Sequence, residues 1–187
     1  MTTRRLFALT LIAALTLTLT GCGKDVTPAA ATSADTPEAL AQLWLDALAA
    51  NDLDAARNGF IQTADLPALE AAFRAEGLTD EKVAKYLAMS EKDIADLPGL
   101  FASNMRDLKA AGVDMSDAKI VSVDLPRTHT FGGMQVAEIS FTFSTGGTIY
   151  AIELDDCVRL DRGWVATTRP KFRGEAEAAA LMDAELE

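Results

Sequence analysis

The chain has 187 residues, of which 17 are basic and 28 acidic, so its formal net charge is −11 at pH 7. An excess of negative charge on this scale argues against nucleic acid or a bare anionic lipid surface as a general partner. One histidine and two cysteines are too few for a multi-histidine or multi-cysteine zinc site, so we expect no metal and no cofactor.

Residues 1–21 have the layout of a secretory signal. Arg4 and Arg5 precede a short apolar run, and small residues follow it. The run from Leu6 to Thr20 would form a helix of about 22 Å, which is short of the ~30 Å hydrocarbon core of a bilayer. A cleaved signal is therefore favoured over a retained transmembrane helix.

Leu19-Thr20-Gly21-Cys22, at the end of this run, resembles the lipobox of bacterial lipoprotein precursors. The resemblance implies that the Cys22 thiol receives a diacylglyceryl group and that cleavage falls between Gly21 and Cys22. It also implies acylation of the new amino group, and two or more acyl chains hold a protein firmly on a membrane. In this family an aspartate after the cysteine often marks inner-membrane retention. Gly23 stands there, so in a bacterium that has an outer membrane the resemblance favours that membrane over the inner one.

Residues 22–35 contain almost no bulky apolar side chain, so we expect a flexible tether between the lipid and a folded domain. If the Cys22 sulfur forms a thioether, Cys157 has no partner within the chain. We expect Cys157 to be a small buried hydrophobe, and the alternative is a reactive or intermolecular thiol.

From Thr36 to Val113 the sequence has the period of amphipathic helices. Thr36-Pro37-Glu38 supplies an N-cap hydroxyl, a proline at the first helical position and an acid in the first turn. Asn51-Asp52 predicts a break, after which the helix continues from Leu53 to Ile61. The first apolar stripe comprises Leu40, Leu43, Trp44, Ala47 and Leu48.

The stretch from Asp65 to Val113 is predicted to be helical in pieces. Thr79-Asp80-Glu81 opens one piece, and Ser90-Glu91-Lys92-Asp93 resembles a capping box with aspartate for glutamate. Pro98-Gly99 predicts a further interruption.

At Ala118 the period changes to two, which predicts strands. Turns are expected at Gly132-Gly133, at Gly146-Gly147 and, with three to four residues, at Asp161-Arg162-Gly163-Trp164. Three hairpins form a four-stranded antiparallel meander whose apolar face the helices cover. The alternating apolar residues are Val121, Val123, Leu125, Ala137, Ile139, Phe141, Phe143, Tyr150, Ile152, Leu154, Trp164 and Ala166.

The element order, the Asn51-Asp52-Leu53-Asp54-Ala55-Ala56 break and Asp161-Arg162-Gly163-Trp164-Val165 resemble an NTF2-like (cystatin-like, SnoaL-type) domain over residues 36–173. The resemblance implies an α+β fold with N-terminal helices packed on a curved four-stranded sheet and a cone-shaped pocket between them. Residues 174–187 would be an additional acidic helical tail. Some members are isomerases or dehydratases that use a pocket Asp or His with a Tyr, and many only bind or dimerise. Fold does not select among these.

Trp44, Phe141 and Tyr150 are the candidate pocket residues. Tyr150 is also the candidate hydrogen-bond donor of an isomerase-like site, but no carboxylate pairs with it by spacing, because Glu138 and Glu153 are expected on the other face. His129 is expected in a hairpin loop rather than as an acid or base. No catalytic residue is assigned.

Arg169, Lys171 and Arg173 alternate with Pro170 and Phe172, so an extended chain would place the three bases on one face. Such a stretch is typical of a solvated edge strand. The alternative is a docking patch for an acidic partner.

These features favour a lipid-anchored protein of the bacterial cell envelope that faces the periplasm and binds a small apolar ligand or a protein partner without catalysis. The alternatives are an enzyme of the SnoaL or ketosteroid-isomerase kind and a structural lipoprotein that forms homodimers through its sheet. The enzyme hypothesis fails if Tyr150 is packed with no cavity beside it. The structural hypothesis requires a dimer that covers the outer sheet face.

Overall fold

The computed structural model describes residues 34–176. The predicted signal peptide, the predicted lipidation site at Cys22, nearly all of the predicted tether and most of the predicted tail lie outside these residues. Helices come first along the described chain and an antiparallel sheet follows, so the fold is α+β, as predicted. Within the described part, no helix combines the length and apolar character needed to cross a membrane.

The helices and strands have the following bounds. The helices are α1 (Pro37–Ala50), α2 (Leu53–Asn58), α3 (Leu66–Ala75) and α4 (Asp80–Ala110), with 3₁₀ turns at Thr63–Asp65 and Met115–Asp117. The strands are β1 (Lys119–Phe131), β2 (Met134–Thr145), β3 (Thr148–Leu160), β4 (Gly163–Ala166) and β5 (Lys171–Glu175).

The start of α1 and the break after it are confirmed. The Thr36 hydroxyl accepts a hydrogen bond from the Ala39 N–H at 3.2 Å, and Asn51 ends the helix in the left-handed conformation with φ 50°. The predicted continuation to Ile61 is wrong, because α2 ends at Asn58. Beyond it Phe60 forms a parallel bridge with Ala166, so pairing with the sheet replaces the last helical turn.

Helix α4 is continuous where interruptions were predicted. Ser90 does not begin a new helix, and Pro98 lies inside the helix rather than ending it. Proline removes one hydrogen bond to the preceding turn, but Leu97 and Phe101 on either side are buried in the core. Their burial offsets the lost bond, since most helix stability in proteins comes from packing of the apolar face.

The sheet has the order β1-β2-β3-β4, and β5 also pairs with β3. Strand β4 pairs with residues 157–160 of β3, and β5 pairs with residues 150–153. Because β2 occupies one edge of β3, β4 and β5 lie end to end along the other edge. The four-stranded meander is correct for β1–β4. The fifth strand is an addition, and it includes Gly174 and Glu175, which the sequence places in the tail.

Both diglycine turns are confirmed as two-residue hairpin turns. Gly132 and Gly133 have φ 57° and 83°, and Gly146 and Gly147 have φ 55° and 82°, which is the pattern of a type I′ turn. The third turn is shorter than predicted, because Leu160 pairs directly with Gly163.

The predicted alternation of core-facing and solvent-facing side chains is wrong in the first half of β1. Val121 and Leu125 are exposed, whereas Ile120 and Val123 are half-buried and pack against the core. The register with β2 shifts between Ile120 and Ser122. An extra residue at such a bulge moves the following side chains to the other face.

The core lies between α1 and one face of the sheet. Trp44 on α1 is fully buried, as are Ile139, Phe141 and Ile152 on the strands. Ala34, which the sequence places in the tether, is also buried, and its carbonyl accepts a hydrogen bond from the Trp164 N–H at 2.7 Å. The packed domain therefore already includes Ala34.

Candidate functional site

The register of β1 and β2 places a row of side chains on the sheet face opposite Ile139 and Phe141. Met134, Val136 and Glu138 are alternate residues of β2, so they share this face. Their direct partners on β1 are Phe131, His129 and Arg127, and paired residues lie on the same face of a sheet. We call this the outer face. It is apolar near the Gly132-Gly133 turn and charged further along.

Helices α3 and α4 approach the apolar end of the outer face. A Cβ on Gly132 would lie 2.1 Å from the Ala72 carbonyl oxygen on α3, and the Gly132 N–H donates to the Glu76 carboxylate. The Phe73 ring lies 5.8 Å from the Phe131 ring in an edge-to-face arrangement. The tip of the hairpin is therefore held against α3.

Between these elements lies a cavity of about 340 Å³, which we call the aromatic cleft. Its apolar lining includes Leu69, Phe73, Tyr86, Met89, Phe131, Met134, Val136 and Val158, and its polar lining includes Ser90, Asp93, His129 and Asp156. An apolar cavity with a few convergent polar groups is the usual form of a small-molecule site.

One face of helix α4 forms a wall of the aromatic cleft. Tyr86, Met89, Ser90 and Asp93 stand at i, i+3, i+4 and i+7, so they follow one face of the helix. Tyr86 is 41% exposed and Met89 is 52% exposed. Single exposed hydrophobic residues are common on protein surfaces, whereas two large ones beside a cavity indicate a binding site.

The sequence did not identify the aromatic cleft. A stripe mixing tyrosine, methionine, serine and aspartate in α4 was the available signal, but its partners Phe131 and Val158 are distant along the chain. The prediction of His129 in a loop is wrong, because β1 continues to Phe131. Pro126 falls at a register shift of β1, where a ladder N–H is not required, and the strand resumes beyond it.

A cluster of ion pairs adjoins the aromatic cleft on the outer face and lines a cavity of about 430 Å³. We call it the ion-pair cluster. The Arg127 Nε lies 2.9 Å from Glu138 Oε2. It further contains the pairs Lys171–Asp155 and Arg173–Glu153. His129 and Asp156 line both cavities.

The ion-pair cluster contains three carboxylates close enough together to be considered as metal ligands. Carboxylate oxygens of Glu138, Glu153 and Asp155 lie within 4.8 Å of one another. Each of these carboxylates already has a basic partner, so the positive charge that a cation would supply is provided by the protein. The arrangement fits an internal network of charge pairs.

The structure brings together two of the three bases predicted as a docking patch. Lys171 and Arg173 both belong to β5 and lie in the ion-pair cluster, where carboxylates neutralise them. Arg169 precedes β5, is exposed, and forms no ion pair with residues 34–176. The edge-strand interpretation of this stretch is confirmed, since β5 pairs with β3.

The three predicted pocket residues belong to the core. Trp44 and Phe141 are fully buried, and Tyr150 is 8% exposed. The Tyr150 ring is stacked at 5.6 Å on Phe143 and lies 6.0 Å from Phe172. None of the three lines any of the five cavities characterised in the described part of the chain.

Cys157 is a buried thiol, as predicted. Its Sγ lies 3.6 Å from the Leu154 carbonyl oxygen. Burial raises the thiol pKa well above its ordinary value, and the nearby Asp156 and Asp155 carboxylates raise the pKa further. The sulfur is therefore kept in its neutral, unreactive form.

Comparison of the chain with protein-family models, with curated proteins and with solved structures gives no match. The functional conclusion therefore rests on the N-terminal sequence, the aromatic cleft and the charges around it.

Proposed function

We propose that this protein is a lipid-anchored protein of the bacterial cell envelope whose domain binds a small molecule in the aromatic cleft without catalysis. The single observation that carries the binding function is this cleft of about 340 Å³. Its volume lies within the range of roughly 300–1,000 Å³ that is typical of ligand sites, at the lower end. Exposed Tyr86 and Met89 leave apolar surface at its rim for a ligand to cover.

The NTF2-like architecture is part of this proposal. Its support is the order of elements, with helices before an antiparallel sheet, and the two register shifts of β1, which bend a strand and increase its twist. In such a fold the cavity between helices and sheet is the expected ligand site.

The anchor part of the proposal is supported by Leu19-Thr20-Gly21-Cys22 after a short apolar run. Acyl chains on Cys22 would hold the protein on the membrane, each buried methylene contributing about 0.8 kcal/mol. Gly23 after the cysteine favours the outer membrane, with the domain facing the periplasm.

A catalytic role centred on Tyr150 lacks support. The hypothesis requires a cavity beside this side chain, and Tyr150 is instead packed between Phe143 and Phe172.

The anchor is tested by metabolic labelling of the full chain with an alkyne fatty acid in a bacterial host. We expect label on the wild-type protein and its loss in the Cys22→Ala variant, because the thiol is the acceptor. Cys157→Ala is the matched control and should keep the label. Label retained in Cys22→Ala would contradict the anchor assignment.

The binding function is tested by native mass spectrometry of residues 23–187 exported to the periplasm and purified gently. A small-molecule adduct that disappears in the Met89→Lys variant would support a working cleft. Ala102→Lys on the exposed face of α4 is the matched control and should retain the adduct.

A further inference from the structure

Two carboxylates line the aromatic cleft without forming an ion pair within residues 34–176. Asp93 on α4 and Asp156 on β3 both line it, and neither carboxylate takes part in an ion pair within residues 34–176. No lysine or arginine belongs to the lining. A partly enclosed site with two such carboxylates favours a positively charged occupant.

Two lysines of α4 lie near this lining but do not belong to it. In the ion-pair cluster three carboxylates face three bases, so that region is neutral as a unit. Lys82, one turn before Tyr86, lines an adjoining cavity that shares Phe73, Tyr86 and Phe131 with the cleft. Lys92, next to Asp93 in the chain, forms its ion pair with Asp96 at 2.8 Å. Asp93 and Asp156 are therefore the carboxylates of the cleft lining itself.

The backbone of Asp156 is held in place before any ligand binds, and its side chain is exposed. It is one of two non-glycine residues with positive φ in the described part of the chain, at 47°, and it lies in a bulge where β3 has an extra residue opposite β2. The Thr167 hydroxyl donates to the Asp156 carbonyl oxygen, and the Thr168 hydroxyl donates to that of Asp155 at 2.8 Å. A strained backbone conformation kept by its surroundings is often associated with a functional position.

The aromatic wall suits a cation as well as an apolar body. The Phe73 ring lies 5.5 Å from the Tyr86 ring and 5.8 Å from the Phe131 ring. Aromatic faces attract ammonium groups, and this attraction strengthens when the cation is desolvated. The cavity corresponds to about eleven water molecules by their share of liquid volume, which limits the occupant to a compact molecule.

We propose that the aromatic cleft binds a compact apolar monocation, such as a primary amine or ammonium compound with an aromatic or aliphatic body. This inference rests on the proposed binding function and assigns the chemical class of its ligand. The apolar body fills the space among Phe73, Met134 and Val158. The cationic group lies towards Asp93 and Asp156.

The test compares three probes of nearly equal size and different charge, namely phenylbutylamine, phenylbutanol and phenylbutyrate. Binding to the full chain in nanodiscs of zwitterionic lipid is measured by calorimetry, with protein-free nanodiscs subtracted. We expect the amine to bind at least about tenfold more tightly than the alcohol, and the carboxylate most weakly.

Two variants test whether the carboxylates cause the preference for the amine. Asp93→Asn and Asp156→Asn each remove one charge, and asparagine tolerates the positive φ of residue 156. Each should weaken binding of the amine about three- to tenfold and leave binding of the alcohol unchanged. Asp107→Asn, at an exposed position near the end of α4, removes the same charge outside the cleft and should change neither affinity.

The outcomes separate the two proposals. The cation preference would be overturned if the amine and the alcohol bound equally. It would also be overturned if neither Asp93→Asn nor Asp156→Asn changed the affinity for the amine. Either result would leave the binding function in place. Binding of none of the probes, together with no adduct in native mass spectrometry, would overturn the binding function as well.

Discussion

Arg162, in the turn between β3 and β4, donates hydrogen bonds to three points of the chain around α2. Its Nη1 lies 2.7 Å from the Asn58 carbonyl oxygen and its Nη2 lies 2.6 Å from that of Phe60. Its Nε and Nη2 also bond the two oxygens of Asp65, at 3.1 and 2.7 Å. A planar guanidinium is needed for this fork, because lysine offers only a point charge. The residue serves the fold rather than a docking surface.

The first prediction concerns this fork. Arg162→Lys should lower the free energy of unfolding by about 2 kcal/mol, because it leaves carbonyl groups and the nearly buried Asp65 carboxylate incompletely bonded. The urea midpoint measures the change. Arg57→Lys is the matched control, since the exposed Arg57–Asp54 pair at 3.9 Å should contribute less than about 0.5 kcal/mol. Equal losses in the two variants would contradict the structural role of Arg162.

The second prediction concerns the pKa of Cys157. Because burial raises its pKa above the ordinary value of 9.0, the native thiol should resist iodoacetamide at mildly alkaline pH, whereas the protein unfolded in urea should react. The unfolded thiol ionises first as pH rises, so this group stabilises the fold less above its ordinary pKa. Mass spectrometry after timed alkylation measures the reaction. Rapid labelling of the native protein would show that the thiol is accessible.

At the scale of elements, the β1–β2 hairpin links the core to the aromatic cleft. Its tip turns at Gly132-Gly133, and the backbone of Gly132 contacts Ala72 on α3. A side chain at this glycine faces two separate obstacles, which are the positive φ and the carbonyl of α3. The turn therefore positions Phe131 and Met134 against Phe73, and the cleft depends on its geometry.

The third prediction separates these two obstacles. Gly132→Ala and Gly133→Ala both place alanine at positive φ, which costs roughly 1–2 kcal/mol. A Cβ at residue 132 would also lie 2.1 Å from the Ala72 carbonyl oxygen, whereas one at residue 133 meets nothing within 4 Å. We expect Gly132→Ala to lower the thermal midpoint further and to weaken ligand binding. Equal effects would show that the hairpin tip is not pressed on α3.

At the scale of the whole molecule, the outer face beyond the ion-pair cluster is polar and the β1 edge of the sheet is irregular. Ser140, Thr142 and Ser144 continue the outer face beyond the ion-pair cluster. Strand β1 has exposed Val121 and Leu125 but also two register shifts, which discourage pairing with another strand. Neither the face nor the edge offers the apolar surface of a stable dimer interface.

The fourth prediction is therefore that residues 23–187 are monomeric at micromolar concentration. Light scattering coupled to size-exclusion chromatography measures the mass. A dimer would favour the alternative of a structural lipoprotein, and protection of the outer face in hydrogen exchange would then locate its interface.

The local features of the fold were determined by the sequence itself. Each of three features depends on residues within a few positions of one another, namely the cap at Thr36, the break at Asn51 and the diglycine turns. Such local features can be predicted without a structure. The change of period at Ala118 predicted the α+β order for the same reason. The anchor at Cys22 also belongs to the sequence, and it stays a prediction.

The tertiary structure alone decided the continuity of α4, the fifth strand and the aromatic cleft. Packing of Leu97 and Phe101 outweighs the local cost of Pro98, and a register shift of β1 exposes Val121 where strict alternation would bury it. The cleft joins Phe73, Tyr86, Phe131 and Val158, which meet only after the hairpin folds onto the helices. Contacts between residues distant in the chain leave no periodic pattern in the sequence, so the cleft could not be predicted from the sequence.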